Sequence, residues 1–268
     1  MDETGLAMGL CANGYMVCGQ GKRRVYVKTP QNREWVSILE AISASGRSIR
    51  PLVVFQGSNL QSSWFPAAGI PDWHYTTSEN GWTSNHITLQ CLRDVFIPES
   101  WPNGSRTRLL VMDGHGSLIS VDFMWECKQN NIQLCFLPAH TSHILQPLDL
   151  SCFGPEKRYY RAEIRKMATL NDAAQVQKLH FIQCYQKARA EGLSERNIRS
   201  SWKAAGLVPW NPQKVLESSQ VMGAASNDPN PPAPNRERAR SESELLKTPM
   251  KPQDLYDAAQ TLNSPSRT

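Results

Sequence analysis

The sequence has little that would send it across a membrane or into an oxidising compartment. No stretch approaches the ~20 consecutive apolar residues that a bilayer-spanning helix needs. The first residues lack a basic segment followed by an apolar run, so no signal peptide is expected. The seven cysteines are scattered and form no C-x-x-C pair. An odd number at irregular spacing argues against a disulfide framework and for a reducing environment. A G-x-S-x-G elbow and a Cys–His nucleophile signature are both missing, which leaves acyl transfer without support. Gly19-Gln20-Gly21-Lys22-Arg23-Arg24 has glycines and positive charge but not the spacing of a phosphate-binding P-loop. It reads as a basic loop, either solvated or near a polyanion.

What is present is enough for one large domain and a tail. The chain has 268 residues, 40% of them hydrophobic, and a net charge of +5. A mild basic excess fits a polyanionic partner without requiring one. Residues 1–216 have globular composition. Residues 217–268 are rich in Ser, Asn, Pro and Ala, with a basic patch at 236–240, and are expected to be a disordered polar tail.

Within the first part the hydrophobic period alternates between strand and helix. Residues 35–42 read as a strand, Gly46 as a turn, and 50–55 as the hairpin partner. Residues 84–96 read as a helix capped by Ser84. The apolar run Leu109-Leu110-Val111-Met112 ends in Asp113-Gly114, the pattern of a buried strand that delivers a carboxylate at its C-terminal end. A helix over 120–130 and a strand over 132–137 follow, predicting a parallel pair with a right-handed crossover. Helices are expected after Pro147 to about residue 167, then over 172–190 and 194–205, with Gly206 stopping the last.

Three aspartates stand out by their setting: Asp2 near the start, Asp113 after the buried run, and Asp149 in Gln146-Pro147-Leu148-Asp149. Carboxylates from separate elements that converge at a sheet edge can hold two hard divalent cations for phosphodiester displacement. Taken singly, an Asp before Gly or at a helix start is first of all a turn or capping residue. His140 and His143 form an H-x-x-H without a cysteine pair or acidic third ligand, so they read as loop histidines within reach of phosphate rather than a zinc site. Lys157, Arg161 and Arg165 fall on one helix face at i, i+4 and i+8. They read as a solvated face or, with a nucleic acid partner, a phosphate-tracking one. Most of the eight tryptophans are expected in core or rim packing.

An ordered series of motifs adds to this reading. Asp2-Glu3-Thr4-Gly5, Asn32-Arg33-Glu34-Trp35-Val36 and Ser78-Glu79-Asn80-Gly81-Trp82-Thr83 come first. Leu110-Val111-Met112-Asp113-Gly114-His115-Gly116-Ser117 follows, then the longest, from Leu137-Pro138-Ala139-His140 to Gln146-Pro147-Leu148-Asp149, and finally Gly206-Leu207-Val208-Pro209-Trp210-Asn211-Pro212. Together they resemble the DDE endonuclease domain of pogo/mariner-type transposases, including fungal members and relatives of centromere protein B and jerky-like proteins. The resemblance implies an α/β, ribonuclease H-like mixed sheet with helices on both faces. It maps the family's catalytic, metal-binding triad onto Asp2, Asp113 and Asp149, holding Mg²⁺ or Mn²⁺ as a two-metal site. It also implies DNA as partner, the nucleus as compartment, a homodimer as the working form, and no membrane role.

The chain departs from that pattern in two respects. Family members carry a strand leading into the first aspartate and a helix-turn-helix region upstream, whereas this sequence opens one residue before Asp2. The first strand is therefore expected to be truncated, with Asp2 on a fraying end. Leu118 stands where the family often has His. Weak or absent strand cleavage is expected of this chain. The alternative is a non-catalytic nuclear DNA-binding or interaction protein derived from a transposase.

Overall fold

The structure, a computed structural model, describes residues 1–8, 34–66, 68–101, 107–114, 120–170 and 178–217. The chain divides into two units, Met1–Val215 and Leu216–Thr268. The expected polar tail, the basic loop at residues 19–24, His115 and Leu118 lie outside the described residues.

A four-stranded mixed sheet forms from β1 (Asp2–Ala7), β2 (Trp35–Glu40), β3 (Leu52–Gln56) and β4 (His74–Ser78), in that spatial order. The first three strands are antiparallel, and β4 runs parallel to β3. The expected hairpin is therefore present, turning at Gly46, with β2 ending two residues sooner than its apolar pattern suggests. β5 (Arg108–Asp113) and β6 (Ile132–Leu137) form the expected parallel pair, joined through α3 (Val121–Gln129). Ser120 caps α3 by accepting from the Phe123 amide at 3.1 Å. Met1 ties the two sheets together. Its nitrogen donates to the Val111 carbonyl at 3.0 Å, and its side chain packs with Leu110, Met112 and Phe123.

Helices cover both faces of the larger sheet, as expected. On one face Val36, Ile38, Val53 and Phe55 pack against Tyr160 and Ile164 of α6 (Phe153–Leu170) and Phe181, Ile182 and Tyr185 of α7 (Lys178–Gly192). On the other, Leu39, Leu52 and Val54 meet Ile87, Cys91 and Val95. Burying one such side chain contributes about 1.5–3 kcal/mol, so the strands are held by their two apolar faces as much as by their ladders. The expected single helix over 84–96 is α1 (Asn85–Cys91), a π-helical segment (Leu92–Phe96) and α2 (Ile97–Glu99), with Ser84 capping as predicted.

After β6 come α4 (Ser142–Leu145), α5 (Pro147–Ser151), α6, α7, α8 (Glu195–Ala204) and α9 (Gln213–Leu216). The helix expected from Pro147 onward is thus two, breaking at Cys152. α6 turns Phe153, Glu156, Tyr160 and Ile164 inward at helical spacing, which leaves Lys157, Arg161 and Arg165 on another face. Gly206 ends α8 with φ +66, a left-handed conformation that favours glycine. Gly192, the last residue of α7, lets that helix approach α6 closely: a Cβ there would lie 2.8 Å from the Cα of Glu156.

The tryptophans differ from expectation. Trp35, Trp82, Trp101, Trp125 and Trp210 are all exposed. Trp35 and Trp82 stack on each other with centroids 6.3 Å apart, satisfying part of their apolar surface locally.

Candidate active site

β1 is a strand six residues long that pairs with β2 along its whole length, from Asp2↔Glu40 to Ala7↔Trp35. The expected fraying of Asp2 is not seen: Asp2 is paired with Glu40, and Met1 before it is buried and hydrogen-bonded to β5. Asp113 closes β5, where the apolar run of the sequence puts it. Asp149 lies in the first turn of α5, after Pro147 at N1, where φ is already set for a helix.

These three residues share one electrostatic neighbourhood. Burial pushes the Asp2 carboxyl up to about 7, and the negative charges of Asp149 and, less strongly, Asp113 add to that shift. The Met1 amino group opposes it when charged, although burial lowers that group to about 6. Asp149, although solvent-exposed, is raised as well, first by partial desolvation, with the Lys157 ammonium opposing and Asp113 adding. Like charges that disfavour one another's ionisation are what a divalent cation relieves. The donor set, three carboxylates on separate elements, suits a hard cation such as Mg²⁺ or Mn²⁺. Among the described residues, however, no group of three His, Cys, Asp or Glu side chains is close enough to form a preassembled metal cage.

A second set of charges, not found from the sequence, lies beside the first. Glu40 is fully buried and sits directly across from Asp2, so the two side chains emerge on the same face. Arg189 grips it with both arms, Nε to Oε1 at 2.7 Å and Nη2 to Oε2 at 2.9 Å. The Tyr185 hydroxyl donates to Oε1 at 2.8 Å, and Arg189 Nη2 also reaches the Ile49 carbonyl at 2.6 Å. Glu156, also fully buried, has no hydrogen bond of normal geometry to either oxygen among the described residues; the nearby Tyr185 hydroxyl, which donates to Glu40, lowers its acid only in part. Its acid is pushed up to about 8 by burial and then by the charge of Glu40. The signal for Glu40 was visible only as an acid ending an otherwise apolar strand. Arg189 and Glu156 gave none.

The remaining candidates lie at the surface. His140 and His143 are exposed, His140 with φ +63. His140 lies in the turn after β6, whereas His143 falls within α4 rather than in a loop. Arg161 and Arg165 are exposed and Lys157 half-buried, with its charge felt at Asp149. Five cysteines, at 91, 127, 135, 152 and 184, are free thiols, as their irregular spacing predicts.

Comparison with known proteins supplies the class. Residues 32–202 match the DDE superfamily endonuclease family. The matched span contains Asp113 and Asp149 and begins after Asp2. The chain belongs to the DDE superfamily of endonucleases. It is also 38% identical over 221 residues to a Cochliobolus lunatus protein named MFS-type transporter clz9; the alignment covers 82% of this chain and 24% of that protein. The chain therefore spans about a quarter of that relative. Among the described residues no helix is long and apolar enough to cross a membrane. No solved structure matches the chain.

Proposed function

We propose that residues 1–216 are the catalytic domain of a pogo/mariner-type DNA transposase with a ribonuclease H-like fold, and that residues 217–268 are a polar tail. Asp2, Asp113 and Asp149 would hold Mg²⁺ or Mn²⁺ for phosphodiester cleavage and strand transfer. The observation that carries this reading is that Asp2 on β1 lies within the field of Asp149 on α5 and Asp113 on β5, and Asp149 within that of Asp113, the latter two inside the matched endonuclease span. A bound divalent metal supplies Lewis acidity at the attacking and departing oxygens. The chain's own residues would do the rest. Lys157, Arg161 and Arg165 along α6, with His140 before α4 and His143 within it, would contact DNA phosphates and fix the register of the duplex without reading its sequence. The same reading takes the nucleus as the compartment and a homodimer as the working form, with no membrane role.

Manganese titration by calorimetry tests the site. The wild-type chain should give a binding heat that Asp113→Ala abolishes. Equal heats in the two proteins would remove the metal assignment. The second reading, a non-catalytic DNA-binding protein derived from a transposase, is favoured by the lack of a preassembled cage among the described residues. It predicts duplex binding with no manganese heat and no metal-dependent nicking.

A further inference from the structure

The stretch of residues 142–149 meets the candidate site three times. Ser142 Oγ donates to Asp113 Oδ2 at 2.5 Å. Gln146, 1% exposed, donates through Nε2 to the Met1 carbonyl at 3.3 Å, the peptide just before Asp2. Three residues later the same stretch supplies Asp149 itself. Ser142 and Gln146 stand at i and i+4, so they share one face of the α4 turn. That turn is held from within: the Gln146 amide donates to the Ser142 carbonyl at 2.9 Å, and the Leu145 amide to the Thr141 carbonyl at 2.8 Å. Thr141 Oγ1 in turn donates to the Pro138 carbonyl at 2.7 Å, pinning the turn to the end of β6.

We propose that Ser142 and Gln146 are positioning residues that set the mutual spacing of the three carboxylates. The proposal rests on the reading of those carboxylates as a metal-binding set. Asp113 is the last residue of β5, so its backbone is fixed on one side only and its carboxylate rotates about χ2 unless something holds it. The Ser142 hydroxyl does so by donating to Oδ2. Gln146 acts one step further back. By binding the Met1 carbonyl it fixes the start of β1 relative to α5, and hence the distance from Asp2 to Asp149. A single helical turn therefore registers β5, β1 and α5 against one another. Outer partners of this kind typically change metal affinity by about 10–100-fold when removed.

The test is manganese affinity of the full chain, measured by calorimetry, with thermal melting in metal-free buffer alongside. Ser142→Ala and Gln146→Met should each melt close to wild type yet bind manganese on the order of 10-fold more weakly. Ser142→Thr, which keeps the hydroxyl, should restore most of the affinity. Wild-type affinity in both Ser142→Ala and Gln146→Met would overturn the proposal while leaving the metal site standing. A wild-type chain that binds no manganese would overturn the metal reading and this proposal with it. Should Gln146→Met lose its melting transition, the contrast between Ser142→Ala and Ser142→Thr decides alone.

Discussion

Replacing Glu156 by glutamine should stabilise the protein, and the gain should grow with pH. Glu156 is fully buried on α6, and neither of its oxygens has a hydrogen bond of normal geometry among the described residues. Burial and the neighbouring Glu40 charge raise its acid from 4.5 to about 8. A carboxyl raised in this way holds its proton more tightly folded than unfolded. Below the unfolded value both states are protonated and pH has no effect through this group. Above it the unfolded chain releases its proton while the folded chain keeps it, so unfolding gains about 1.4 kcal/mol per pH unit. The loss continues until the folded form titrates in turn, and amounts at most to roughly 4–5 kcal/mol. Glutamine has nearly the same shape and does not titrate. Urea unfolding of both proteins should give similar stabilities near about pH 5, and a variant more stable by about 3–4 kcal/mol near about pH 8. Asp2, raised to about 7, adds a slope of the same sign to both proteins and cancels in the difference. Parallel stability curves would refute the argument, because they would mean that Glu156 reaches water or a cation when ionised.

The neighbouring ion pair gives a prediction of opposite sign. Arg189→Met leaves the Glu40 carboxylate buried with only Tyr185 as donor, and should cost about 3–5 kcal/mol in urea unfolding. Adding Glu40→Met should recover most of that loss; a double variant as unstable as the single one would show that packing, not charge, is at stake. On the surface, Lys157→Ala with Arg161→Ala should weaken duplex binding and lower the slope of log affinity against log salt by about 1 per residue. An unchanged slope, read by fluorescence anisotropy across a salt series, would remove α6 from the DNA interface.

The parts of the fold that were legible in the sequence are those decided locally. Ser84 and Ser120 accept amide hydrogen bonds from Ile87 and Phe123, three residues on. Gly206 takes the left-handed conformation that ends α8. The run before Asp113 is apolar because β5 is covered by α3 and the π-helical segment, and that cover sets the aspartate at its end. What could not be read depends on distant partners. β1 is short and does not alternate cleanly between apolar and polar, so its extent is fixed by β2 and by the Met1 link to β5. Over 84–96 the buried residues Ile87, Cys91 and Val95 recur every four positions, a spacing that reads as helix without revealing the π-helical segment. Arg189 and Glu40 lie 149 residues apart, and nothing near either announces the other.

The same distance dependence explains why the candidate site was only partly visible. Asp113 and Asp149 have local settings that mark them, but the state of Asp2 is determined by charges from other elements. Across the strand from Asp2, Glu40 is held by Arg189 through two hydrogen bonds. The guanidinium is thereby committed to Glu40 and to the Ile49 carbonyl rather than to the aspartates. Lys157 opposes the shift at Asp149, yet Asp149 and Asp2 both remain raised. The sheet edge therefore keeps an excess of negative charge that protons relieve as pH falls. A divalent cation would compete with those protons for the same oxygens, so its binding should release them and should tighten as pH rises through the Asp2 value of about 7. With Arg189 committed to Glu40, the groups that oppose the shifts are Lys157 at Asp149 and the Met1 amino group at Asp2, and neither cancels them.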